Sequence, residues 1–132
     1  MNEKLRQSII NVNNALERLN RALRETNHNE LVIDGTIQRF EFCIELYWKM
    51  LRRVLLEEGI ETFTPREAIQ RAYQAKWLDD ELLWLNMLRD RNQTSYTYDE
   101  ELANEIYSRV KSYHEAMKNG LIKIEKRWSS IE

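Results

Sequence analysis

The sequence predicts an all-α fold, a four-helix bundle with one extra short helix, and three observations carry that prediction. Only 3 glycines and 1 proline occur in 132 residues, too few turn-makers for the many hairpins of a sandwich or barrel. Leu5, Ile9, Val12, Leu16, Leu19 and Leu23 are spaced 4, 3, 4, 3, 4, which is the stripe of a helix and not the alternation of a strand. Thr64-Pro65-Arg66-Glu67 joins an N-cap hydroxyl, a proline at the first helical position and a glutamate three residues after the cap, a helix start signal. At this length one domain over residues 1–132 is expected, with chain enough for one core.

The first helix runs about six turns to Leu23, and its narrow apolar seam suits a bundle or a coiled coil. If exposed, that seam predicts self-association. The polar run Glu25 to Glu30 ends the helix, and Asp34 is well placed to cap a second one that continues to about Glu58, stopped by Gly59. There Ile37, Phe40, Ile44, Tyr47 and Leu51 share one side while Phe42, Trp48 and Leu55 broaden it, which predicts the most buried helix. A third helix starts at Thr64 and breaks near Trp77 to Asp79. A further helix covers Glu81 to about Arg89, with Leu82, Leu83, Leu85 and Leu88 apolar. After a polar loop, Asp99 can cap a last long helix with Leu102, Ile106, Val110, Tyr113 and Met117 on one face. Asn119-Gly120 marks its C-terminal stop, and Leu121, Ile124 and Trp128 resume the period as a separate final turn.

Charge sets limits on partners. The 20 basic and 22 acidic side chains leave a net of −2, so no global field draws the chain to nucleic acid or anionic lipid. No DNA specificity is expected, and any RNA contact must be local. The single cysteine, Cys43, cannot make an intrachain disulfide and lies in an apolar run, which points to a reducing, cytoplasmic setting. The opening segment is amphipathic, unlike a signal peptide, and no stretch approaches the roughly 20 apolar residues of a membrane span, so no membrane partner is expected. His28 and His114 have no second histidine or cysteine nearby in sequence, and Trp48, Trp77, Trp84 and Trp128 are core or interface aromatics. Neither metal nor cofactor is called for.

The chemically dense stretch is Arg89 to Tyr98, between two predicted helices, where function is usually carried. Arg91, Asn92, Thr94, Ser95, Tyr96 and Tyr98 have the donors to gather around an anionic ligand, with backbone N–H groups of the following helix adding partial positive charge. The same residue types also suit a polar turn that satisfies its own backbone. Glu41 and Glu45, four apart, share a helix face and offer either a carboxylate pair for that cleft or partners for Lys49 and Arg52.

The run Phe40 to Lys49, preceded by Asp34-Gly35 and followed by Arg91-Asn92-Gln93-Thr94-Ser95-Tyr96-Thr97-Tyr98-Asp99-Glu100, resembles the HEPN superfamily. More narrowly it is similar to the nucleotidyltransferase substrate-binding branch, toxin partners of minimal nucleotidyltransferase antitoxins, over nearly the whole chain. The resemblance implies an up-and-down bundle that forms a homodimer, with the arginine of each copy near the seam. It also implies a metal-independent ribonuclease motif of arginine, four residues, histidine, one residue and tyrosine. Carried over, Arg91 takes the arginine place, Asn92 its neighbour, Tyr96 the histidine place and Tyr98 the terminal tyrosine; Glu45 takes the place of an acidic residue on the second helix.

The missing histidine has a physical consequence. Metal-free RNA cleavage needs a base for the 2′-hydroxyl proton, and imidazole, with a pKa of about 6.5, is suited to it. A phenol with a pKa of about 10 stays protonated at neutral pH, so Tyr96 predicts impaired catalysis while Arg91 still binds phosphate. The resemblance further implies that a partner nucleotidyltransferase transfers AMP to Tyr98. Two alternatives stand beside this reading: an active ribonuclease with Tyr96 or His114 as base, and a non-catalytic helical adaptor working through the first helix.

Overall fold

Asparagine side chains start the first two helices of the computed structural model, which describes residues 2–94 and 99–129. Asn2 Oδ1 accepts from the Leu5 N–H at 2.7 Å and opens α1 (Glu3–Leu23). Asn29 Oδ1 accepts from the Val32 N–H at 2.9 Å and opens α2 (Glu30–Glu57). Each takes up a donor that the first turn of a helix leaves without an internal partner. Asp34 therefore lies inside α2 and does not cap it. Asparagine caps as well as aspartate, so the helix begins at the earlier of the two competent residues.

α2 ends as the sequence predicts. Gly59 has φ +80°, its N–H donates to the Leu56 carbonyl at 2.9 Å, and the Ile60 N–H reaches back to Leu55 at 2.9 Å. This is the paired closure that needs a left-handed residue, which glycine adopts without a Cβ penalty. α3 (Pro65–Gln74) starts with the Thr64 hydroxyl accepting from the Glu67 N–H at 3.1 Å, while the Glu67 carboxylate accepts from the Phe63 N–H at 3.2 Å. It stops by the same paired closure, here with Lys76 at φ +67° and the Trp77 N–H on Ala72 at 3.1 Å. That closure turns Trp77 into the core, where it is buried.

α4 (Glu81–Thr94) is capped by Asp80, whose Oδ1 accepts from the Leu83 N–H at 3.2 Å. It extends past Arg89, so Arg91, Asn92 and Thr94 are helical where the sequence predicts a loop. Trp84 and Met87 fill its core face, whereas Leu82 is 68% exposed. α5 (Glu100–Ser129) is capped by Asp99, whose Oδ1 accepts from the Leu102 N–H at 3.2 Å. It runs unbroken through Asn119-Gly120, contrary to the predicted stop. The stripe Ile106, Val110, Tyr113, Met117 continues in phase into Leu121, Ile124 and Trp128, all buried, and that packing overrides a local stop signal.

The architecture is an all-α up-and-down bundle, with α3 as the short extra helix and no strand among the described residues. α2 packs against each of the other four helices, which is why its apolar residues occupy more than one stripe. Phe42 is the exception to the predicted broad face, being 60% exposed, and Leu31 on the same helix is 82% exposed. The α1 seam is buried within the chain from Leu5 to Leu19, so it is not available as a self-association surface. Burying a side chain such as Val12 or Leu19 contributes about 1.5–3 kcal/mol. Among the described residues no helix is long and apolar enough to cross a membrane.

Candidate functional site

The last turn of α4 lies beside the first half of α2 and the start of α5. Arg91 Nη1 donates to Glu45 Oε2 at 2.6 Å, and Lys49, one turn further along α2, places Nζ 3.3 Å from Glu45 Oε1. The Arg91 and Glu45 side chains are 26% and 38% exposed, so both ends of this pair remain within reach of solvent. Thr94 sits one turn beyond Arg91, and its hydroxyl lies 2.9 Å from the Arg91 carbonyl and 3.2 Å from Glu41 Oε2. Its one proton serves one of the two at a time.

Glu41, Thr94, Asp34 and Asp99 surround a cavity of about 170 Å³ whose apolar wall is Ile37, Leu102 and Ala103. Burial pushes the Glu41 carboxyl above its ordinary value, opposed by the Thr94 hydrogen bond and by the charge of Arg91. Asp99 is both a wall of the cavity and the cap of α5. With Asp99, Glu100 and Glu101 at that terminus, the positive end of the helix is already matched by carboxylates. Cationic character at the site therefore comes from Arg91 and Lys49, and not from the start of α5, where the sequence reading looks for part of it.

Of the sequence-predicted site residues, Arg91, Thr94 and Glu45 come together, and Asn92 is exposed on the same turn of α4. Ser95, Tyr96 and Tyr98 lie outside the described residues. His114 is on the other side of α5, facing α1, where its Nε2 donates to the Leu16 carbonyl at 3.2 Å beside Asn13 and Glu17. His28 meets the Tyr107 hydroxyl at 2.7 Å. Among the described residues no three of the His, Cys, Asp and Glu side chains form a group that could hold a metal ion. Cys43 is fully buried, and burial pushes its thiol up to about 12, which makes it unreactive.

Sequence reasoning passes over one cluster. Asp90, next to Arg91, is fully buried, with Arg109 and Tyr113 of α5 on its carboxylate. The available signal is a carboxylate at the position where the Trp84, Met87 stripe calls for an apolar residue, opposite two polar-tipped side chains four apart.

Comparison with known proteins now gives the lineage. Residues 7–126 match the family described as "Nucleotidyltransferase substrate binding protein like". The chain belongs to that family. A crystal structure of a protein from Thermus thermophilus is 34% identical, with 86% of this chain and 98% of that one covered at a TM-score of 0.81. A second structure, from Haemophilus influenzae, is described as revealing the fold of a substrate binding domain of a nucleotidyltransferase. It is 23% identical over 89% of this chain and 98% of that one, with a TM-score of 0.77, and it shares the fold. The Haemophilus influenzae protein named "Probable ribonuclease HepT" is 32% identical over 89 residues, 64% of this chain and 61% of that relative. The match thus spans less than two thirds of the relative's length. These findings meet the resemblance to the HEPN superfamily and to its nucleotidyltransferase substrate-binding branch.

Proposed function

We propose that this protein is a HEPN-type substrate-binding subunit that pairs with a minimal nucleotidyltransferase. Its working surface is the end of α4 with the segment that follows, residues Arg91 to Tyr98. The single observation that carries the reading is Arg91, held on Glu45 and still partly open to solvent, one turn before Thr94, which lines the cavity. A guanidinium in that setting can exchange its carboxylate partner for a phosphate. Arg91, Asn92, Thr94 and Ser95 would bind a nucleotide or RNA phosphate, with Glu45 setting the direction of Arg91.

In this reading Tyr98 accepts AMP. Its phenolic oxygen attacks the α-phosphorus of ATP held by the partner enzyme, the bond to the β-phosphate oxygen breaks, pyrophosphate leaves and the phenolic proton passes to solvent. The adenylate would add negative charge and bulk at Arg91, which neutralises the site by occupying it. Two copies would form the working unit, and the exposed Leu31 and Phe42 of α2 support such pairing. The test is incubation with the cognate nucleotidyltransferase and ATP. Intact mass should rise by one adenylate on wild type and not after Tyr98→Phe; equal labelling of both proteins removes the reading.

A second reading, an active metal-independent ribonuclease, is favoured by the name of the Haemophilus influenzae relative. It needs Tyr96 or His114 as the base. The contact of His114 with Leu16 on the α1 side speaks against the latter, and the high ordinary pKa of a phenol against the former. Cleavage of RNA by the purified protein, lost on Tyr96→Phe, would restore this reading. Cleavage appearing only with Tyr96→His would show that only the base is missing.

A further inference from the structure

Asp90 and Arg91 are consecutive residues of α4 that bond to different helices. Arg91 pairs with Glu45 of α2 at 2.6 Å. Asp90 faces α5, where Arg109 Nε donates to Oδ2 at 2.9 Å, Arg109 Nη2 to Oδ1 at 3.0 Å, and the Tyr113 hydroxyl to Oδ2 at 2.5 Å. Arg89 adds a contact to Oδ1 at 3.5 Å. The carboxylate is fully buried, so each of these bonds works with little competition from water. Tyr113 in turn stacks on Phe40 of α2, with ring centroids 5.2 Å apart and planes 27° apart. The cluster therefore ties α4, α5 and α2 together at the level of the candidate site.

An arginine side chain reaches where its Cα and the rotation of its helix allow. A two-pronged guanidinium–carboxylate pair has one good geometry, so it fixes how α4 is turned about its axis and how far it slides along α5. An apolar residue at 90 would fill the same space and fix neither. Turning the last turn of α4 would carry Arg91 off Glu45. We propose that Asp90 is a positioning residue for Arg91: its bonds to Arg109 and Tyr113 lock the register of α4 so that the Arg91 guanidinium is presented at the anion site. This inference rests on the reading of Arg91 as the phosphate-binding group.

The probe is 5′-AMP, titrated at neutral pH into wild type, Asp90→Asn, Arg91→Ala and the double variant, with urea unfolding measured on each. Arg91→Ala should weaken binding about tenfold, and Asp90→Asn about fivefold. In the Arg91→Ala background, Asp90→Asn should change binding less than about twofold while its loss of stability persists. A purely structural residue would not produce that split. Unchanged binding in Asp90→Asn, with Arg91→Ala weakened, overturns the positioning role and leaves the anion site standing. Equal losses in both backgrounds also overturn it, because Asp90 would then act without Arg91. No loss in Arg91→Ala removes the anion site and this inference with it. Arg109→Lys keeps the charge and loses the two-pronged geometry; it should reproduce the Asp90→Asn pattern, and it stands in if the latter fails to fold.

Discussion

The hydroxyl of Tyr47 lies 2.5 Å from where a Cβ on Gly120 would stand. Tyr47 is fully buried on α2 and donates to the Met117 carbonyl of α5 at 2.8 Å, so its ring cannot swing aside. Gly120 is in the chain to admit that ring, and not to end the helix. Alanine there gains about 1 kcal/mol of helix propensity but meets an overpacking cost of about 1–3 kcal/mol. The rigid contact decides the sign: Gly120→Ala should lower stability by about 1–2 kcal/mol in urea unfolding. In a Tyr47→Phe background, with the hydroxyl gone, the same substitution should be neutral or stabilising. An equal loss in both backgrounds would show that Tyr47 is not the obstacle.

The start of α2 can be checked at two residues. Asn29→Ala removes the side chain that accepts from Val32 and should cost about 1 kcal/mol. Asp34→Ala, inside the helix and exposed, should stay within about 0.5 kcal/mol of wild type. The reverse order in urea midpoints would restore Asp34 as the cap.

Burial holds the His114 imidazole below its ordinary value of 6.5, with the Leu16 hydrogen bond partly opposing. The folded state therefore prefers the neutral ring, and the unfolded chain binds the proton first as pH falls. His114 contributes stability that is full above about pH 6.5 and is lost as pH drops through the lower folded value. His114→Gln should flatten the stability curve below about pH 6.5 relative to wild type. Parallel curves would assign that pH dependence to other groups.

Glu45 is both the anchor of Arg91 and its competitor for an anion. The pair is partly exposed, so Glu45→Gln should change stability by no more than about 1 kcal/mol. Removing the negative charge should raise the affinity for 5′-AMP by about fivefold, an effect that added salt reduces. Weaker binding would mean that Glu45 serves the site more as the anchor of Arg91 than as its competitor.

Local chemistry made much of the fold legible in advance. The spacing from Leu5 to Leu23, the Thr64-Pro65 start, the Gly59 stop and the Asp99 cap are decided within one or two turns of chain, and each stands as read. The sequence alone also determined the all-α class, because so few turn-makers and such regular stripes leave a helical bundle as the way to bury them. Tertiary structure decided the rest. Helix α4 runs on through Arg91 and Thr94 because Asp90 finds Arg109 and Tyr113 on α5 while Arg91 finds Glu45 on α2, partners 19, 23 and 46 residues away. Helix α5 runs through Gly120 because Leu121, Ile124 and Trp128 bury in phase with the stripe before it, and the glycine leaves room for Tyr47, 70 residues before the carbonyl it bonds. A charge or a glycine carries its meaning in the neighbour it meets, and neighbours that distant in sequence are set only when helices pack.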